Sequence, residues 1–150
     1  MNHIFYKDGY KYQLKKTFII NIPIFPDYPI NSEFITLNTE GFLTIQSGYA
    51  WDGPSGPAID TANFMRGSLI HDALYQLMRE GHLDQDKYKP VADQVLKTIC
   101  IDDGMSKIRA FFVHLAVKHF GETASDPMHK KPILVAPTKY KMPKRYNPTT

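Results

Sequence analysis

Chemistry-bearing side chains concentrate in one stretch of this 150-residue chain, His71-Asp72-Ala73-Leu74-Tyr75, and in the run before it, Gly48-Tyr49-Ala50-Trp51-Asp52-Gly53-Pro54-Ser55-Gly56-Pro57-Ala58-Ile59-Asp60. A histidine changes charge near neutral pH and can take a proton, while an aspartate can hold a hard cation together with carbonyl oxygens. Proline restricts φ and glycine permits close approach, so residues 48–60 are expected as an ordered loop rather than a strand, presenting backbone groups at fixed angles. On a helix, His71 and Tyr75 share a face with Phe64, Ser68 and Met78, whereas Asp72 lies about 100° further round, toward Gln76 and Arg79. Adjacent His71 and Asp72 therefore point apart. Asp93, on the following helix, is the expected partner that fixes the His71 tautomer, which leaves Asp72 for a cation.

Other reactive residues carry less. Arg66 could bind a phosphate or carboxylate, or cap the loop by pairing with Asp52 or Asp60. Trp51 reads more readily as an aromatic under the loop than as a substrate platform. An HD-type phosphohydrolase also uses adjacent His and Asp but needs further histidines upstream, where only His3 stands. His114 and His119 are five apart and do not share a helix face. Cys100 lies in the apolar run Val95-Leu96-Lys97-Thr98-Ile99-Cys100-Ile101 and is expected to be inert. No phosphate-binding glycine loop, zinc cysteine pairs or serine nucleophile elbow is written in the chain.

The elements that must position these residues follow from periodicity. Tyr10-Lys11-Tyr12-Gln13-Leu14 alternates, residues 17–24 form a β-branched and aromatic run closed by Pro23, Pro26 and Pro29, and residues 34–37 and 42–45 flank Asn38-Thr39-Glu40-Gly41 as a hairpin would. From Phe64 the period becomes helical. A first helix is expected to Glu80, with Thr61 or Asn63 as N-cap and Gly81 as its stop. A second runs from about Pro90 to Gly104, and a third from the Ser106 cap to Gly121 with Ile108, Phe111, Phe112, Leu115 and Val117 as its apolar positions. The fold class is α+β: a small antiparallel N-terminal sheet, three packed helices, and an extended proline-rich C-terminal tail. Residues 1–121 form one domain and residues 122–150 the tail.

Composition bounds the rest. An apolar content of 43% supports one core, and the lone cysteine excludes an internal disulfide and suits a reducing compartment. No run approaches the about 18 consecutive apolar residues of a membrane helix, and the N-terminus lacks a signal-peptide layout. The net charge of +3 is uneven: residues 125–150 hold six Lys and Arg against Asp126, so the rest of the chain is slightly acidic. With only Tyr140 and Tyr146 interleaved among those cations, nucleic acid is not the expected partner.

The stretch Trp51-Asp52-Gly53-Pro54-Ser55-Gly56-Pro57, with Asp60-Thr61, Asn63-Phe64-Met65-Arg66-Gly67-Ser68-Leu69 and His71-Asp72-Ala73-Leu74-Tyr75-Gln76-Leu77, resembles a family of small uncharacterised proteins of tailed phages and prophages. The likeness spans residues 48–121 and is most specific over 51–77. It implies a phage origin, a location in the host cytoplasm or virion, and phage structural proteins as partners. More locally, a glycine-rich loop, a helix bearing His-Asp-x-x-Tyr and a helix with an aspartate facing the histidine is similar to secreted phospholipase A2, above all its bacterial and fungal branch. By position, that resemblance implies His71 as general base for a water, Asp72 as ligand of a Ca2+ cofactor, and Tyr75 and Asp93 behind the histidine. Carbonyls near Trp51, Gly53 and Ser55 would complete the calcium site, and a phospholipid ester would be the substrate. The competing expectation is a non-enzymatic virion or assembly protein in which the Trp51 loop braces the fold and residues 122–150 dock on neighbouring subunits.

Overall fold

Alternation of buried and outward residues builds strands through the first fifty residues, and the computed structural model, which describes residues 4–6, 10–53, 61–121, 125–129 and 133–136, pairs them all antiparallel. β1 (Ile4–Tyr6), β2 (Tyr12–Gln13), β3 (Phe18–Asn21), β4 (Ile30–Asn31), β5 (Ile35–Leu37), β6 (Phe42–Ile45) and β7 (Ala50–Trp51) precede the helices. The main sheet has the order β3-β6-β5-β4. Along β5 and β6, Ile35, Leu37, Leu43 and Ile45 point inward and are fully buried, the period-two pattern of a half-covered sheet. The β5–β6 turn forms as expected: Asn38 Oδ1 accepts the amides of Glu40 and Phe42, and Gly41, at φ +84°, sits where any Cβ would strike the Ile22 carbonyl.

Four strands were not legible, β1, β4 and β7 here and a last one after the helices. Ile30–Asn31 adds an edge to the sheet, and Ala50–Trp51 pairs with β2 inside the stretch expected as pure loop. Tyr49 and Trp51 are buried on either side of the partly exposed Ala50, a strand alternation masked in the sequence by the glycines and prolines that follow. The remainder of that loop, residues 54–60, lies outside the described residues.

α1 (Ala62–Arg79) follows Thr61 and ends where Gly81, at φ +78°, lets the amides of His82 and Leu83 turn back to the Leu77 carbonyl. α2 (Gln85–Asp102) begins at Gln85 rather than at Pro90. Asp84 caps it by accepting the Lys87 amide, and this first-turn bond with the packing of Tyr88 outweighs the single ladder donor that Pro90 removes. α3 (Lys107–Phe120) has Ser106 as N-cap and Gly121 as C-cap, as the sequence predicts.

The core lies between the sheet and α1, whose Ile70, Ala73, Leu74, Leu77 and Met78 are completely buried against the strand residues. α2 crosses α1 at Gly67, where a Cβ would stand 2.9 Å from Cys100 Sγ. A second cluster, Phe64, Leu96, Cys100, Met105 and Ala110, joins α3 to the pair. Here the expected inward face of α3 is corrected: it turns Ala110, Val113 and Val117 to the core and leaves Ile108, Phe111, Phe112 and Leu115 exposed. Against a surface already filled by Leu96 and Phe64, the narrower face gives the closer packing. Beyond α3, a 3-10 turn at Pro127–His129 replaces part of the expected extended chain, and β8 (Leu134–Ala136) pairs with β1. Among the described residues no helix is long and apolar enough to cross a membrane.

Candidate functional site

α1 and α2 bring His71 and Asp93 together. Asp93 is 2% exposed and receives three donors. His71 Nε2 lies 2.8 Å and the Tyr75 hydroxyl 2.6 Å from Oδ1, while Lys89 Nζ reaches Oδ2 at 2.9 Å. The residues expected to cooperate, His71, Tyr75 and Asp93, therefore meet. Lys89 was missed, although it stands four residues before Asp93 on the same helix, the spacing that pairs side chains. Its ammonium also donates to the carbonyls of Val117 and Lys118 in the last turn of α3. One cation thus holds the carboxylate and closes a helix end.

Charge states follow from these contacts. Burial alone would push the Asp93 carboxyl up, but the hydrogen bonds from His71, Tyr75 and Lys89 outweigh it and hold it below its ordinary value. An ionised carboxylate only accepts, so Nε2 of His71 carries the proton. Burial lowers the His71 pKa against the raising effect of Asp93, so at neutral pH the ring is uncharged and Nδ1 keeps its lone pair. The Nε2 contact to Asp93 is the ring's one hydrogen bond among the described residues, and the His71 side chain is 8% exposed. Tyr75 is held well above its ordinary pKa by burial and by Asp93, so its hydroxyl remains a donor. The Tyr75 and His71 ring centroids are 3.9 Å apart. Behind Tyr75, Gly121 leaves room for the hydroxyl: a Cβ there would come within 2.5 Å of it.

The remaining expected residues surround this centre differently. Trp51 is 7% exposed; its indole donates to Ser68 Oγ at 3.2 Å, and its carbonyl already accepts the Lys11 amide at 3.1 Å in the β2–β7 ladder. Gly53, at φ +76°, turns the chain so closely over the Tyr12 ring that a Cβ would lie 2.5 Å from it. Ser55 lies outside the described residues. Asp72 is partly exposed and faces away from His71, toward Tyr49, whose pKa is raised by burial first and by the Asp72 charge next. Arg66 serves neither the loop nor an open anion site: Nε and Nη2 hold the two Asp103 oxygens at 3.0 and 2.7 Å, fixing the start of α1 to the end of α2.

Among the described residues no group of three or more His, Cys, Asp or Glu side chains is arranged to hold a metal ion. Calcium takes carboxylate and carbonyl oxygens; of the residues expected to hold it, Asp72 is partly exposed and the Trp51 carbonyl already accepts the Lys11 amide. A cleft of about 700 Å³ opens elsewhere, between Pro26–Asn31 and His82–Tyr88, and none of the candidate residues lines it. It lies beside the α1–α2 turn and the first turn of α2. No family model, no curated protein and no solved structure matches the chain.

Proposed function

We propose that the chain is a phage-encoded hydrolase in which His71 Nδ1 takes a proton from a water that attacks an ester carbonyl. The water oxygen forms the new bond to carbon, His71 holds the proton, and the proton passes to the departing alkoxide as the ester bond breaks. Asp93 and Tyr75 act as positioning residues, since the carboxylate fixes the tautomer that leaves Nδ1 basic and stabilises the ring while it is protonated. A calcium ion held by Asp72, with carbonyls of the segment after Trp51, would supply an electrophile for the carbonyl oxygen. Phospholipid esters are the substrate class.

The observation that supports this reading is the 2.8 Å contact of His71 Nε2 with a buried aspartate that Tyr75 and Lys89 also hold. Fatty-acid release from phosphatidylglycerol vesicles, with calcium and with chelator, tests it. Loss of about 10²-fold or more in His71→Ala, with an unchanged circular dichroism spectrum, is the expected result. Equal turnover by wild type and His71→Ala rules the reading out. The alternative, an assembly protein docked through residues 122–150, must contend with the pairing of Leu134–Ala136 to β1 of its own chain.

A further inference from the structure

The outward face of α3 is apolar where the packing of the domain does not require it. Ile108, Phe111, Phe112 and Leu115 recur at i, i+3, i+4 and i+7, opposite the side of the buried Ala110 and the partly buried Val117, and are 75%, 51%, 61% and 38% exposed. At roughly 200 Å² for each large side chain, they leave about 400 Å² of apolar surface, the size of the largest patch on a typical monomer, which is often functional. The same helix carries Lys107, Arg109 and Lys118 and not one Asp or Glu, and Lys97 of α2 stands 5.9 Å over the Phe111 ring. Arg109 also anchors the helix by donating to Thr61 and Asn63.

The geometry points to α3 as a docking surface for an anionic lipid bilayer, with the four apolar side chains entering the interface and the flanking cations at the headgroup level. An apolar stripe rimmed by Lys and Arg lies in an interfacial plane with its cations toward anionic headgroups. Charge argues against a second copy as occupant: two acid-free basic helices face to face bring like charges together, and the patch is about half of what a standard interface buries on each side. On its opposite side the same helix meets the candidate centre, where Lys89 bridges Asp93 to the Val117 and Lys118 carbonyls. On the hydrolase reading, on which this step alone rests, a bilayer is the form in which a lipid ester meets the protein.

Co-sedimentation of the full chain with phosphatidylcholine vesicles, with and without phosphatidylglycerol, tests the surface. Wild type is expected to partition onto the anionic vesicles, less so at high salt, and Phe111→Ser/Phe112→Ser to lose at least about tenfold in that affinity. Lys107→Glu/Lys118→Glu should lose the preference for phosphatidylglycerol with its thermal transition unchanged. Absence of wild-type binding, or equal binding by the double serine variant, overturns the proposal. So does a concentration-dependent dimer, or single-stranded oligonucleotide binding, that the serine substitutions abolish while vesicle binding is nil. His71→Ala and turnover of a soluble short-chain ester separate the two readings. Vesicle binding by a chain that hydrolyses nothing supports the surface and ends the hydrolase reading; soluble turnover retained without vesicle binding does the reverse.

Discussion

His71 Nε2 and Asp93 Oδ1 lie 2.8 Å apart across the α1–α2 contact, so the protonation of one ring and the docking of two helices are coupled. Both groups have folded-state pKa values below their ordinary ones, burial leading for His71 and donors overcoming burial for Asp93.

The sign of the pH dependence follows. A lowered pKa means the unfolded chain binds the proton more tightly, so stability rises with pH through each window. The His71 contribution is fully present above its ordinary value of 6.5 and is lost as pH falls through its folded value. The Asp93 contribution disappears further down, below 3.8. Urea midpoints measured from pH 4 to 8 should fall toward acid, and His71→Gln should flatten the upper part of that slope; an unchanged slope contradicts the charge assignment.

If His71 is the base, turnover rises with pH through a value below 6.5 and is level by neutrality. Asp93→Asn removes the raising influence on His71, so the residual activity of that variant should titrate at still lower pH. A rising midpoint would show that the pair is not coupled as drawn.

Lys89→Met leaves Asp93, 2% exposed, with a negative charge lacking its cation, and strips the Val117 and Lys118 carbonyls of a donor. Breaking a buried pair from one side costs about 3 kcal/mol, and the folded-state pKa of Asp93 should climb. Denaturant titration gives the first and carboxyl NMR titration the second. A loss under about 1 kcal/mol would mean that water replaces the ammonium.

Gly121→Ala should cost about 1–3 kcal/mol, since its methyl would stand 2.5 Å from both the Tyr75 hydroxyl and the Val117 carbonyl. In a Tyr75→Phe background the hydroxyl is gone and the cost should shrink. A double-mutant cycle without coupling would place the strain at Val117 alone.

Cys100, pushed up to about 11 by burial and by Asp103, should resist thiol reagents at pH 8 until the chain unfolds. Labelling in parallel with a denaturant titration measures this, and rapid labelling of the native protein would show that the α1–α2 seam at Gly67 opens.

What the sequence disclosed was what neighbouring residues encode. Ser106 opens α3 through cap chemistry that is local, and the His71 to Asp93 pairing followed from one helix phase and one acidic residue in reach. The start of α2 was hidden because Pro90 resembles a beginning, while the true cap, Asp84, is an aspartate in a polar run where many residues read alike. The inward face of α3 was hidden for a different reason: which side turns in depends on the depth left by Leu96, Cys100 and Phe64, a quantity that no periodicity contains. Lys89 escaped because a lysine on a helix is normally solvated, and only the juxtaposition with α3 withdraws it from water.

β1 and β8 give each other their ladder although residue 4 pairs with residue 136. On a ribosome, the first strand therefore emerges early and waits through the synthesis of all three helices before its mate exists. The α1–α2 pair that holds His71 can be complete by then, so the clasp is the last stitch of biogenesis, and a truncation upstream of residue 134 would leave β1 as an unmatched edge on an otherwise assembled body.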